Sequence, residues 1–389
     1  MFDYNKILSK NVVSIKPSGI RRFFDLAEEM EGVVSLGLGE PGFVTPKRIC
    51  DAAIASINEG KTSYSANTGI APLKREISRY LSEKYNIHYK NEEMIVTIGA
   101  SEAIDIAFRA ILEPGDEVLV VEPCFVSYAP TIQLCGAVPV SLVTKAEDKF
   151  RLTAKSLKEK ITDKTKALIM SFPSNPTGAI MKREHLEEIA AVLRDTNIIV
   201  ITDEIYAELT YGYKHVSFAE IEGMRERTIF VSGFSKAFAM TGWRIGYSCA
   251  PVPITKEMMK IHQYAVMCPP SAAQYGALVA LRDCDDDSQS MIAEYDKRRQ
   301  YIVRELNRMG LRCFDPEGAF YVFPDIRFTG LSSEEFCERL LISKKVSVVP
   351  GNAFGDCGEG FVRMSYSNKM ENIVEAMKRI EEFLLELKA

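Results

Sequence analysis

Between about residues 92 and 250, short apolar runs alternate with helical patterns, and this alternation narrows the fold more than any other feature of the chain. The runs are Met94–Ile98, Glu117–Val121, Val138–Ser141, Ala167–Ser171, Ile198–Thr202, Thr228–Val231 and Ile245–Ala250. Helical patterns such as Ser101–Leu112 and Lys182–Thr196 separate several of them. A strand that is apolar throughout needs cover on both faces. The pattern therefore predicts an α/β fold with a mostly parallel seven-stranded sheet between helices. Such sheets gather their ligands beyond the carboxyl ends of the strands, so chemistry-bearing residues are sought just after each run.

Past residue 285 the texture changes. A long charged helix over Ser288–Met309 leads to a strand over Gly318–Pro324 and a helix over Ser332–Lys344. Two short strands (Val346–Val349 and Phe361–Ser365) and a terminal helix from Met370 to about Leu387 follow. The expected division is a large domain over residues 46–285 and a smaller α+β domain from residues 1–45 and 286–389. The acidic run Asp283–Asp287, followed by Glu294, matches a calcium loop at its first, third, fifth and twelfth positions. Ser288 stands where that loop needs glycine, so a solvated loop capping the next helix through Asp287 or Ser288 is expected instead.

The charge balance, 48 basic against 53 acidic residues with the signs interspersed, argues against a nucleic-acid or anionic-membrane partner. Nine cysteines without a Cys-x-x-Cys pair read as reduced thiols in a cytoplasm. The four histidines have no metal-ligand spacing, so no metal is expected. The amino terminus carries no apolar core of signal-peptide length. The longest stretch free of charged residues, Ile261–Leu281, is broken by Pro269-Pro270 and several polar residues, which excludes a membrane span.

The run Ser232-Gly-Phe-Ser-Lys236-Ala-Phe-Ala-Met-Thr-Gly-Trp-Arg244-Ile-Gly246 follows directly on a β-branched and aromatic strand. A lysine hemmed in by Gly233, Ser235 and Ala237 at a strand end is poorly solvated. Desolvation disfavours its ammonium and makes the amine a nucleophile toward an aldehyde. Arg244 is then free to hold a phosphate bidentately. Together they suggest pyridoxal 5′-phosphate held as a Schiff base.

Three further strand ends add matching groups. Asp203 ends an apolar strand, where an isolated carboxylate is costly without a cation such as a protonated pyridine nitrogen. A helix N-cap is the plainer reading. Asn175, in Ser174-Asn-Pro-Thr-Gly178, and Tyr206 could bond the phenolic oxygen of the cofactor, or could serve turn chemistry alone. Thr97-Ile-Gly99-Ala-Ser101 is a strand, a small-residue turn and a helix start, whose free N–H groups suit a phosphate.

With these elements in order, the chain resembles the class I/II aminotransferases, the aspartate aminotransferase family of fold-type I pyridoxal-phosphate enzymes. The likeness runs from Ser18-Gly-Ile-Arg-Arg-Phe to Val362-Arg-Met-Ser-Tyr366 and is greatest toward the prokaryotic branch with aromatic and N-acetyl-diaminopimelate aminotransferases. The resemblance implies that Lys236 forms the Schiff base and shuttles a proton, that Asp203 meets the pyridine nitrogen, and that Asn175 and Tyr206 bond its phenolic oxygen. It implies that Phe125 stacks on the ring, that Gly99, Ala100 and Ser101 with Arg244 bind the phosphate, and that Arg363 and Gly39 hold the substrate carboxylate. Tyr64 matches a tyrosine that reaches a partner subunit's phosphate, which makes a homodimer with shared sites the expectation. The Glu122–Pro123 and Asn175–Pro176 bonds match family positions that are often cis.

The implied activity transfers an amino group from an L-amino acid, aromatic, aspartate or related, to a 2-oxo acid such as 2-oxoglutarate in a ping-pong cycle. Some aspartate-preferring relatives carry lysine where Ser101 stands, so the residues leave the donor open. The same fold also supports a pyridoxal-phosphate C–S β-lyase, which would release ammonia and pyruvate without an acceptor acid. A non-catalytic sensing domain would need an attached DNA-binding region, for which the amino terminus is too short and not basic.

Overall fold

A computed structural model describes residues 2–17, 19, 26–28 and 30–387. Apart from Gly19, the Ser18–Phe23 motif lies outside the described residues. In chain order the strands are β1 (Val34–Ser35), β2 (Met94–Thr97), β3 (Glu117–Glu122), β4 (Val138–Val143), β5 (Thr165–Ser171) and β6 (Ile199–Asp203). They continue with β7 (Thr228–Gly233), β8 (Gly246–Cys249), β9 (Tyr321–Val322), β10 (Val346–Ser347), β11 (Val349–Pro350) and β12 (Val362–Ser365).

Seven of these form one sheet in the order β2-β8-β7-β6-β5-β3-β4, parallel except for β8, which runs antiparallel to both its neighbours. This is the mostly parallel sheet the alternation predicts. One face buries Val118, Val120, Ile169, Ile201 and Ile229 against the helices Gly99–Ile111 and Val252–Ala265. The other buries Leu119, Leu168, Met170 and Val200 against Arg183–Leu193. Each such wholly buried side chain contributes about 1.5–3 kcal/mol, which is why uniformly apolar strands settle in the middle of the sandwich. Register places Ser171 beside Asp203 and Asp203 beside Val231, so the strand ends form one level edge.

After β8 the chain turns helical, then builds a three-stranded antiparallel sheet, β11-β12-β9, and a two-stranded parallel pair, β1-β10. The helices Asp285–Arg308, Ser333–Lys344 and Met370–Glu386 cover these strands around Phe336, Ile373, Ile380 and Phe383.

Three expectations need correction. The run Val346–Val349 is not one strand: Val346 and Ser347 pair with β1, while Val349 and Pro350 pair with β12. The strand expected over Gly318–Pro324 is only Tyr321–Val322. Gly318 is bonded away to the Gly178 carbonyl, Ala319 has φ of +56°, and Pro324 has no N–H to donate. The acidic run is not a capping loop either. The helix already begins at Asp285 after Cys284, with Asp285 paired to Lys84 at 2.7 Å and Asp287 to Arg48 at 2.6 Å.

The bonds Glu122–Pro123 and Asn175–Pro176 are cis as expected, and Phe172–Pro173 is cis as well. Among the described residues no helix is long and apolar enough to cross a membrane.

Candidate active site

The level edge formed by β5, β6 and β7 opens on a cavity of about 1240 Å³, which the β9–β12 region closes from the other side. Ten of the residues singled out in the sequence line it: Gly39, Ala100, Ser101, Phe125, Asn175, Asp203, Tyr206, Lys236, Arg244 and Arg363. Gly99 sits just behind the wall. Tyr64 does not reach this cavity; its side chain is 81% exposed on the outer surface of the chain.

Lys236 follows the end of β7, and its Nζ donates to the Gly39 carbonyl at 2.6 Å. Burial lowers its pKa from 10.5 to about 8, against the opposing charge of Glu40. The rings of Tyr206 and Phe320 lie 5.8 and 5.9 Å from the amine and keep water from it. A substantial fraction of this lysine is therefore a neutral nucleophile near neutral pH.

Asp203 is the last residue of β6 and is buried. Its Oδ2 accepts from the Tyr128 hydroxyl at 2.7 Å and its Oδ1 from the Ile205 N–H at 3.2 Å. Burial nevertheless holds its pKa above the usual carboxylate range. A phenol and an amide orient this carboxylate without neutralising it. The arrangement suits a ligand that brings its own positive charge.

The turn into the helix Gly99–Ile111 has no side-chain cap, so the first N–H groups are left for a ligand. A Cβ at Gly99 would lie 2.8 Å from Arg244 Nη2, and one at Gly246 would lie 2.6 Å from the Gly99 carbonyl carbon. Only glycine at both positions lets Arg244 and β8 press against this turn. Arg244 itself has φ of +52°, a left-handed conformation that aims its side chain back across the turn, with Nη1 bonded to the Thr241 carbonyl at 2.9 Å. Ser101 and Ser235 add hydroxyls at the same end of the cavity. The donor set is that of a dianion site.

Arg363 enters from β12 and is buried. Its Nη1 donates to Asn175 Oδ1 at 3.0 Å and its Nη2 to the Gly37 carbonyl, while its Nε has no partner in the structure. The guanidinium lies between the rings of Tyr321 and Phe354, at 4.6 and 4.8 Å. Burial lowers its pKa. A buried guanidinium with an unpartnered N–H, on a residue that lines the cavity, suits a carboxylate ligand.

Some neighbours have no place in the sequence reading. Tyr128 orients Asp203, and its signal was available: it stands three residues after Phe125, at the start of the helix Tyr128–Leu134. Tyr321 shares a 2.7 Å hydrogen bond with Tyr206, and burial pushes both phenols upward in pKa. Nothing in the sequence separates Tyr321 from the core aromatics around it. Ser235 and Glu40 also line the cavity.

The family model for aminotransferase class I and II matches residues 31–380. The YugH protein of Bacillus subtilis (strain 168) is 51% identical over 378 residues, covering 97% of this chain and 98% of that protein. An aspartate aminotransferase of Pyrococcus abyssi (strain GE5 / Orsay) is 46% identical over 385 residues, covering 98% of this chain and 99% of its own length. The crystal structure of an aromatic aminotransferase from Pyrococcus horikoshii OT3 superposes with a TM-score of 0.91 at 44% identity, covering 94% of this chain and 99% of that one.

Proposed function

The chain belongs to the class I and II aminotransferases, and from that premise we propose that it works with pyridoxal 5′-phosphate in the cavity described above. Its substrates would be an L-amino acid, aromatic, aspartate or related, and a 2-oxo acid such as 2-oxoglutarate, used in ping-pong order. The observation that carries the reading is the buried Lys236 amine, with a pKa of about 8, on the same cavity as Asp203 and Arg363.

The residues fit the group. The open turn at Gly99, Ala100 and Ser101 would hold the phosphate with Arg244. The carboxylate of Asp203 would keep a proton on the ring nitrogen. Asn175 and Tyr206 would bond the phenolic oxygen, and Phe125 would cover one ring face. Bound there, pyridoxal phosphate supplies an aldehyde for the amino group and a ring that accepts electrons.

The protein's own part is to bind, orient and move a proton. Arg363, with Gly39 on the same cavity wall, grips the substrate α-carboxylate. That grip turns the substrate so that its Cα–H faces Lys236. Lys236, in the neutral form that its lowered pKa makes accessible, removes the Cα proton. The rings of Tyr206, Phe320 and Tyr321 exclude bulk water and strengthen each of these contacts.

The exposed Tyr64 supports a homodimer in which each subunit completes its partner's site. The scattered cysteines support a cytoplasmic setting. A panel of amino donors mixed with the cofactor-loaded protein tests the reading. Conversion to pyridoxamine phosphate by one donor class, with the amino group recovered on 2-oxoglutarate, is the expected result. Release of ammonia and pyruvate from cystathionine without acceptor would overturn it.

A further inference from the structure

Behind the anion turn lies a buried pair that the proposed chemistry does not use. His262, on the helix Val252–Ala265, is wholly buried. Its Nδ1 lies 2.7 Å from Glu102 Oε1 and its Nε2 lies 2.8 Å from the Asn67 carbonyl. The other oxygen of Glu102 accepts the Ile98 N–H at 2.5 Å, so this carboxylate is bonded into the turn that opens the helix Gly99–Ile111.

The Asn67 carbonyl offers only an acceptor, so Nε2 of His262 carries hydrogen and donates to it, while Nδ1 makes the hydrogen bond with Glu102. Buried pairs of this kind hold a geometry more than they add stability. What this one joins is specific. One end is the turn Ile98–Glu102. The other is the backbone of Asn67, three residues after Tyr64.

The loop around Tyr64 is pinned from the same side by other buried groups. Gln274 Oε1 accepts the Ile70 N–H at 2.7 Å, Gln274 Nε2 donates to Ser65 Oγ at 3.0 Å, and Ser271 Oγ donates to the Ser63 carbonyl at 3.0 Å. A Cβ at Gly69 would lie 2.4 Å from Val96 Cγ2, so the loop is pressed onto β2. Tyr64 is thus an exposed side chain on an anchored backbone.

We propose that His262 is a positioning residue for anion binding, a bridge with a hydrogen bond at each ring nitrogen that fixes the Tyr64 loop against the first turn of the phosphate-binding helix. The inference rests on the cofactor reading above. One ring then registers both contributions to the phosphate ends of a dimer: the turn that serves its own subunit and the tyrosine offered to the partner. Its effect should fall on the phosphate end, because neither of its partners, Glu102 and Asn67, lines the cavity with Lys236 and Asp203.

The experiment titrates the full-length chain, freed of cofactor, with pyridoxal phosphate and separately with pyridoxal, which lacks the phosphate. Binding is followed by absorbance for wild type, His262→Phe and His262→Gln. For His262→Phe the dissociation constant for pyridoxal phosphate should rise at least about tenfold, the scale seen when a group that orients a charged-ligand site is removed. Its constant for pyridoxal should stay within about twofold of wild type on the same argument. His262→Gln, which can still donate to one acceptor, should fall between the two, and it carries the test if the phenylalanine variant does not fold. Equal weakening of both ligands, or no weakening of either, overturns the proposal. A wild-type protein that binds neither overturns the cofactor reading, and this inference with it.

Discussion

The seven-stranded sheet and the three-stranded sheet deliver cations to one cavity in different ways. The large sheet presents Lys236 and Arg244 on turns after its strands, held lightly: Lys236 by one carbonyl, Arg244 by one carbonyl on an exposed residue. The small sheet presents Arg363 from within β12, buried, sandwiched by two rings and bonded to both Asn175 and Gly37. On the proposed reading Lys236, which changes its bonding during the reaction, is held by one contact, and Arg363, which only grips, is built in. Arg244 would also only grip, and its second partner would be the phosphate itself.

That contrast can be broken most decisively at Lys236. Lys236→Met should lower transamination by at least about 10⁴-fold, the scale of losing a group on which every chemical step depends. Residual turnover near the wild-type rate would remove Lys236 from the chemistry. Arg363→Lys should cost less, about 10²–10³-fold in kcat/KM, because an ammonium keeps the charge but not the forked geometry. The loss should sit largely in KM if Arg363 only grips, and a loss confined to kcat would merge the two kinds of cation into one.

The smallest effect is on stability, and it should differ in sign between the two regions. In the cofactor-free protein Lys236→Met should raise stability by about 3 kcal/mol at neutral pH, since burial no longer disfavours an ammonium. Arg363→Met should lower it by about 1–3 kcal/mol, because Asn175 Oδ1 and the Gly37 carbonyl lose their donor. The lysine effect also has a pH window. Its folded pKa, about 8, lies below the ordinary 10.5, so between those values the unfolded chain binds more protons and wild-type stability rises with pH. The advantage of Lys236→Met should be complete below about pH 8 and gone above about 10.5. Thermal melts of both proteins across that range check it; a difference independent of pH would mean that folding does not depress the pKa of Lys236.

The same contrast explains what was legible in the sequence. Asp203, Asn175, Lys236 and the turn at Gly99 each follow a long apolar run, and local pattern alone places them on one edge. β9 and β10 are two residues long, and β12 four, so their partners are set by distant contacts. Nothing local says that Val346 and Val349 belong to different sheets, or that Tyr321 faces a cavity while Phe320 packs beside it. Arg363 was found through resemblance, since an arginine on a short strand otherwise reads as a surface charge. His262 was set aside because it has no metal-ligand spacing. Its partners, Glu102 and Asn67, come together only after folding.

The short segment after β1 joins the two cation sites physically. The Gly37 carbonyl restrains Arg363 and the Gly39 carbonyl restrains Lys236, so two oxygens two residues apart tie together side chains 127 positions distant in sequence. That stretch of backbone is a common tether for the two cations.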